Sequence, residues 1–199
     1  MKTLIKEIIQ ESIRAKQALV VDEGFLSSVC EAVDLICKAY ENKNKVLVFG
    51  NGGSAADAQH FAAEMVNRFK IDRIPLPALS LTTDTSIISS IANDSGYDRV
   101  FSKQIEALGV KGDIALAITT SDIESEKGGH SANIYYGLVA AREKGITTIG
   151  LVSKKSKKIL ELLDLAIVAP SDNTPRIQEI HAIIIHIICE IVEKNLFSK

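Results

Sequence analysis

The chain has 199 residues, a formal net charge of −2 at pH 7 and 46% hydrophobic residues, which is enough for one domain with a full hydrophobic core. This nearly neutral balance lacks the excess positive charge that nucleic acids and anionic membranes attract. No apolar run in the sequence approaches the roughly 18 residues that span a bilayer. We therefore expect a single domain over residues 1–199, with no nucleic-acid and no membrane partner.

The N-terminal segment and the cysteines bear on the cellular compartment. Near the N-terminus, charged and apolar residues alternate at helical spacing, which is typical of neither a signal peptide nor a transit peptide. Cys30, Cys37 and Cys189 are too scattered for a disulfide framework or a CxxC metal site, and we expect each to be a buried free thiol. These features predict a cytoplasmic protein.

Taken in chain order, the hydrophobic pattern predicts two helices over residues 3–41, separated at Gly24, and then alternating strands and helices. Strands are predicted at Val46–Phe49, Ala78–Leu81, Asp113–Ile118, Thr147–Val152 and Leu165–Val168. Helices are predicted at Ser54–Arg68, Ser86–Ala92, Val100–Ala107, Asn133–Glu143, Ile159–Leu163 and Thr174–Asn195. This alternation predicts an α/β fold with a doubly wound, five-stranded parallel sheet, in which ligands bind beyond the carboxyl ends of the strands.

The first predicted strand runs into a glycine-rich turn. Gly50, Gly52 and Gly53 allow a sharp turn and a close approach to a ligand, and Ser54 is expected to cap the next helix. The backbone N–H groups of such a turn favour an anion such as phosphate. The turn also matches the first half of a dinucleotide-binding fingerprint, but the acidic residue expected about 20 residues later does not end a strand. A nucleotide is therefore the less favoured ligand.

Two further clusters lie on predicted helices. His60 and Glu64 stand at i and i+4 on the helix after the turn, where they form a solvated polar pair, a general base or part of a metal site. The last helix is apolar on more than one face, which favours burial in an oligomer interface, and it carries Gln178, His181 and His186. A buried histidine on a helix is more often a hydrogen-bonded structural residue than a ligand. Gln178 and His186 are roughly 12 Å apart along the helix axis, so they cannot easily hold one ion from the same helix face, and contributions from two subunits would remove this difficulty.

A hydroxyl-rich segment, Thr119–Ser121, follows the third predicted strand. It lies at the strand end where hydroxyl groups can bind phosphate, although such segments are also common as plain turns.

Four separated motifs together resemble the sugar isomerase (SIS) family of phosphosugar-binding domains and, within it, the phosphoheptose isomerases. They are GNGGSAADAQHFAAE at Gly50–Glu64, LTTDTS at Leu81–Ser86, IANDSGYDRVFSKQ at Ile91–Gln104, and the RIQEIH that opens Arg176–His186. The resemblance covers nearly the whole chain and implies a flavodoxin-like SIS fold with an N-terminal helical hairpin.

The resemblance also implies a reaction, namely the interconversion of sedoheptulose 7-phosphate and D-glycero-D-manno-heptose 7-phosphate through an enediol. By motif match, Glu64 is the base and His186 the acid. The implied Zn²⁺ ligands are His60, Glu64, Gln178 and His186. The implied substrate contacts are Asn51, Gly52, Gly53, Ser54, Glu64, Asn93, Asp94, Thr119, Thr120, Ser121, Ser131 and Gln178. The family is homotetrameric with sites at subunit interfaces, and residues 1–44 are expected to serve in oligomerisation.

A relative of these isomerases offers an alternative function. The replication-initiator-associating protein shares the fold and acts as a binding protein, and this chain resembles it at Met65–Phe69 and Asn195–Phe197. An adaptor of this kind would use an exposed patch around Leu196 and Phe197. Because that protein lacks the Glu and His that stand here at 64 and 186, the resemblance favours the isomerase.

One segment departs from the family pattern. The family's loop after the third strand reads roughly STSGNSAN, whereas this chain reads TTSDIESEKGGHSAN from Thr119 to Asn133. The simplest alignment resumes at Gly129–Ser131 and leaves Asp122–Gly128 as an insertion. Its three carboxylates would repel a phosphate unless the loop points outward, and the insertion leaves open whether Ser131 keeps the place of the family's last phosphate-binding serine.

Overall fold

A computed structural model of the chain describes residues 1–125 and 128–198. Within them the helices are α1 (Lys2–Val20), α2 (Glu23–Glu41), α3 (Gly53–Val66), α4 (Thr85–Ser95), α5 (Ser102–Leu108), α6 (Ala132–Glu143) and α7 (Thr174–Phe197). The strands are β1 (Val46–Gly50), β2 (Ala78–Ser80), β3 (Ile114–Ile118), β4 (Thr147–Ser153) and β5 (Leu165–Ala169). No helix in this part of the chain combines the length and apolar character needed to cross a membrane.

The five strands form one parallel sheet in the order β2-β1-β3-β4-β5, which confirms the predicted fold class. Alternate residues of β1 face opposite sides. Val46 and Val48 join the core beneath α2, α3 and α7, while Leu47 and Phe49 join the core beneath α5 and α6. At the carboxyl end of β1, Gly50 pairs with Ile118 of β3. The loops after these two strands leave toward opposite faces, so their junction is the crevice in which ligands of such sheets bind.

Two local predictions about helix ends were wrong. The break between the first two helices lies at Val21–Asp22, and Gly24 is already in the first turn of α2. The Asp22 carboxylate accepts a hydrogen bond from the Phe25 N–H at 2.9 Å, and such a cap starts a helix more strongly than a glycine interrupts one. Likewise Ser54 does not cap α3. The cap position is Gly52, whose φ of +56° favours glycine, and Ser54 is buried.

Smaller differences concern three other segments. The predicted helix from Val100 starts at Ser102, after a 3₁₀ turn over Tyr97–Arg99, and the segment predicted as a helix at Ile159–Leu163 is a 3₁₀ turn over Lys158–Leu162. Cys30 is exposed, whereas Cys37 and Cys189 are buried free thiols as expected.

The last helix is largely buried inside the chain itself. Ile180, Ile184 and Ile188 of α7 are fully inaccessible and belong to the core shared with α2 and α3, so its apolar composition does not by itself require an oligomer interface. Leu196 and Phe197 are also partly buried against that core. They do not form the exposed patch that an adaptor function would use.

Candidate active site

The glycine turn has the tight packing that its composition predicts. A Cβ on Gly50 would lie 2.6 Å from the Ile118 carbonyl oxygen, which no side chain tolerates. A Cβ on Gly53 would collide with the amide of Gln178 on α7. Glycine at these two positions therefore lets β1 approach β3 and brings Gln178 against the start of α3.

A small cavity of about 200 Å³ opens beside this turn. It brings together eight residues that the sequence predicted to contact a substrate or metal, namely Asn51, Gly52, Ser54, Thr119, Thr120, Ser121, Ser131 and Gln178. Ile118 and His130 complete the lining. At this size it suits one end of a substrate, because pockets for whole drug-sized ligands measure roughly 300–1,000 Å³.

Part of the hydroxyl-rich segment after β3 forms hydrogen bonds within its own turn. The Thr119 hydroxyl donates to the Ser121 carbonyl oxygen at 2.9 Å and accepts from the Ser121 N–H at 3.3 Å. Ser131, at the start of α6, is held in the left-handed region with φ 54°. Thr119 thus shapes the loop, while Ser131 lines the cavity.

The first two residues of the insertion turn away from the cavity. The Asp122 carboxylate accepts hydrogen bonds from the Lys158 N–H at 3.1 Å and the Ile159 N–H at 3.3 Å. Burial works to raise the pKa of Asp122, but these backbone donors outweigh it and hold the pKa below its usual value. Ile123 is buried in the core. The predicted repulsion therefore does not apply to Asp122; Glu126 and Lys127 lie outside the described residues.

Asn51 is held by a residue that the sequence did not single out. The Asn51 amide donates to Asn133 Oδ1 at 2.9 Å, and the Asn133 amide donates back to Asn51 Oδ1 at 2.8 Å. Asn133 is buried at the start of α6. This reciprocal pair ties the glycine turn to the start of α6.

A second centre lies farther along α3. His60 Nε2 is 3.1 Å from Glu64 Oε1 and 3.3 Å from His186 Nε2, and ligand atoms of all three side chains lie within 4.8 Å of one another. Two imidazole nitrogens and a carboxylate oxygen converging on one point form the donor set of many Zn²⁺ sites. These three residues therefore fit a divalent metal ion.

Not every predicted residue joins these two centres. Gln178 lies at the glycine turn, about 12 Å along α7 from His186, so the four predicted metal ligands do not assemble within one chain. Asn93 and Asp94 are exposed on α4, where the Asn93 amide donates to Asp94 Oδ1 at 2.7 Å. Their predicted roles as substrate contacts, and that of Gln178 as a metal ligand, stay predictions.

A buried ion pair supports the end of α3 behind Glu64. Arg73 Nε donates to Glu193 Oε1 at 2.9 Å, and both side chains are 1% exposed. The same guanidinium group donates to the Glu64 and Met65 carbonyl oxygens. The Glu193 carboxylate also accepts from the backbone N–H groups of residues 69–71, which places the Phe69 ring 5.6 Å from that of His186.

The fold is a doubly wound α/β domain that combines a ligand-sized cavity with a candidate metal centre, and comparison with known proteins assigns its family. Residues 10–153 match the SIS domain family. The chain is 47% identical to a phosphoheptose isomerase of Sulfurimonas denitrificans, covering 100% of this chain and 98% of that protein. It is 49% identical to one of Geobacter sp. strain M21, covering 97% and 98%. A phosphoheptose isomerase structure from Neisseria gonorrhoeae superposes with a TM-score of 0.87 at 39% identity, covering 97% and 98%. The chain belongs to the SIS domain family and, within it, to the phosphoheptose isomerases.

Proposed function

We propose that this chain interconverts sedoheptulose 7-phosphate and D-glycero-D-manno-heptose 7-phosphate and supplies heptose for a bacterial surface glycan such as lipopolysaccharide. The observation that carries the proposal is that Glu64 and His186 lie together in one centre, on helices that also flank the phosphate-sized cavity. A protein that acts only as a binding adaptor does not require this pair of residues. The identity and coverage of the isomerase relatives support the same choice.

The residues divide the reaction between them. The cavity beside the glycine turn binds the phosphate group with backbone N–H groups and hydroxyls, and thereby holds the carbonyl end of the sugar near α3. The Glu64 carboxylate removes a proton from the carbon next to the carbonyl and returns it to the neighbouring carbon. His186 exchanges a proton with the substrate oxygens, so that the enediol forms and collapses without a free charge on oxygen.

Zinc is the metal we expect at His60, Glu64 and His186, because Zn²⁺ prefers this combination of imidazole and carboxylate ligands. Gln178 would be supplied from a second subunit. A bound Zn²⁺ would stabilise negative charge on the substrate oxygens during proton transfer.

We further propose a cytoplasmic homotetramer with its sites at subunit interfaces. The apolar face of α1 supports this assembly, since Leu4, Ile5 and Ile9 are each at least 50% exposed in the single chain.

The test is an isomerase assay of purified protein with sedoheptulose 7-phosphate. Replacing Glu64 with Gln keeps the size of the side chain and removes the base, so turnover is expected to fall roughly 10²–10⁴-fold. Glu143→Gln, an exposed change on α6, is the matched control and should retain full activity. Treatment with a chelator should lower activity, and added Zn²⁺ should restore it. Equal turnover by Glu64→Gln and wild type would refute the proposal.

A further inference from the structure

The cavity beside the glycine turn contains an ionisable side chain that the family motifs do not include. His130 is an exposed residue in its wall, and its Nε2 atom lies 2.7 Å from the Ser121 hydroxyl oxygen. In the alignment given above, this position is asparagine in the family's loop. The chain thus re-enters the cavity directly after the insertion with a different chemical group.

The backbone around His130 is fixed by hydrogen bonds across the base of the inserted loop. The Glu124 N–H donates to the His130 carbonyl oxygen at 2.9 Å, and the His130 N–H donates to Glu124 Oε2 at 3.1 Å. The loop is anchored next to this contact by the buried side chain of Ile123 and by the carboxylate of Asp122. The position of His130 is therefore built into the loop.

The side chains that line the cavity offer little positive charge, which makes the position of His130 important for binding a phosphate. Among the described residues that line it, His130 alone has a side chain that can carry a positive charge, since the others offer hydroxyls, amides, a glycine and Ile118. A phosphate dianion bound only by neutral donors lacks the Coulombic attraction that a positively charged side chain at hydrogen-bond distance adds. Glu124, whose side chain contacts the His130 backbone, is exposed to solvent.

We propose that His130 is a phosphate-binding residue of this chain that both supplies positive charge and orients Ser121. When Nε2–H donates to the Ser121 oxygen, the Ser121 hydroxyl proton is free to donate to a phosphate oxygen. This inference rests on the proposed function for the identity of the phosphorylated sugar. The binding of the phosphate group by His130 does not depend on the proposed function.

The test uses inorganic phosphate as a probe alongside the sugar phosphate. Phosphate binding is measured by calorimetric titration of the full-length wild type, His130→Ala and His130→Gln. Gln retains a hydrogen-bond donor but carries no charge. Ser125→Ala, on the same loop but outside the cavity lining, is the matched control. For His130→Ala we expect the phosphate Kd and the KM for sedoheptulose 7-phosphate to rise roughly tenfold with kcat within twofold, and for His130→Gln a smaller rise in both constants.

The outcomes separate this inference from the proposed function. A Kd and KM in His130→Ala within twofold of those in Ser125→Ala would overturn it, as would failure of the wild type to bind millimolar phosphate. A merely structural role would instead lower kcat and the thermal unfolding midpoint together in both His130 variants. Should the wild type bind phosphate without isomerising the sugar, the proposed function fails while the titration still decides the role of His130.

Discussion

At the scale of single residues, His181 and His186 of α7 show how five positions on a helix separate two kinds of histidine. A step of five residues turns about 140° around the axis. His186 therefore faces His60 across the candidate metal centre, while His181 is fully buried and its Nε2 donates to the Val152 carbonyl oxygen at 3.3 Å. Within the described residues, its Nδ1 has no partner. Burial lowers the pKa of His181 to about 4, so the imidazole is neutral in the folded protein at neutral pH.

This buried neutral histidine predicts a loss of stability in mild acid. The unfolded chain binds a proton at its normal pKa of about 6.5 while the folded chain does not, so the free energy of unfolding falls as the pH drops from about 6.5 toward 4. At pH 5 the loss from this residue is about 2 kcal/mol. Urea unfolding at pH 7 and pH 5 should therefore show a smaller difference in His181→Gln than in wild type. An equal pH dependence in the two proteins would contradict the assignment.

At the scale of elements, sequence patterns predict structural features that depend on residues close together in the chain. They miss features that depend on residues far apart in it. The apolar runs predicted all five strands, and helical spacing predicted α3 and α7, because burial leaves a periodic signal in the sequence. The His60–Glu64 pair was also visible, being one helical turn apart. The ion pair between Arg73 and Glu193 was not, since its members are 120 residues apart and neither stands in a recognisable pattern. The contact of Asn133 with Asn51, which joins the start of α6 to the glycine turn, was hidden for the same reason.

The buried pair predicts that the end of α3 depends on α7. Replacing Glu193 with Gln leaves the Arg73 guanidinium buried without its counter-charge, so the free energy of unfolding should fall by about 3 kcal/mol. Because the Glu193 carboxylate also holds the segment that places Phe69 against His186, kcat should fall as well. Chemical denaturation and steady-state kinetics measure the two effects.

Glu190→Gln is the matched control for this change. Glu190 lies three residues earlier on α7, and its contacts with Lys70 and Lys194 are solvent-exposed ion pairs, which contribute little to stability. If the two variants were destabilised to a similar extent, burial of the Arg73–Glu193 pair would not increase its contribution to the free energy of unfolding.

At the scale of the whole molecule, a single chain brings together only some of the residues that the proposed reaction is expected to use. It assembles the triad on α3 and α7 and the cavity at the β1–β3 junction. Gln178, Asn93 and Asp94 remain away from the triad, however, and α1 leaves apolar side chains uncovered. α1 is fixed on its other side, where the Arg176 guanidinium donates to the Ile8 carbonyl oxygen at 2.9 Å. A second copy packed on α1 would bury this apolar surface.

This arrangement predicts that activity depends on assembly through α1. Ile5, Ile9 and Ile13 recur every four residues and form one stripe, each side chain 47–52% exposed. Glu at both position 5 and position 9 would place two charges in the proposed contact, so Ile5→Glu/Ile9→Glu should elute as a smaller species in size-exclusion chromatography with light scattering. Gln10→Glu/Gln17→Glu adds the same charge at exposed polar positions of α1 and should assemble as the wild type does. Because the site is expected to need residues from two subunits, isomerase activity should fall with the loss of assembly while the helix content of the separated chains is kept. A double variant that still forms tetramers, or that stays fully active as a monomer, would contradict the interface.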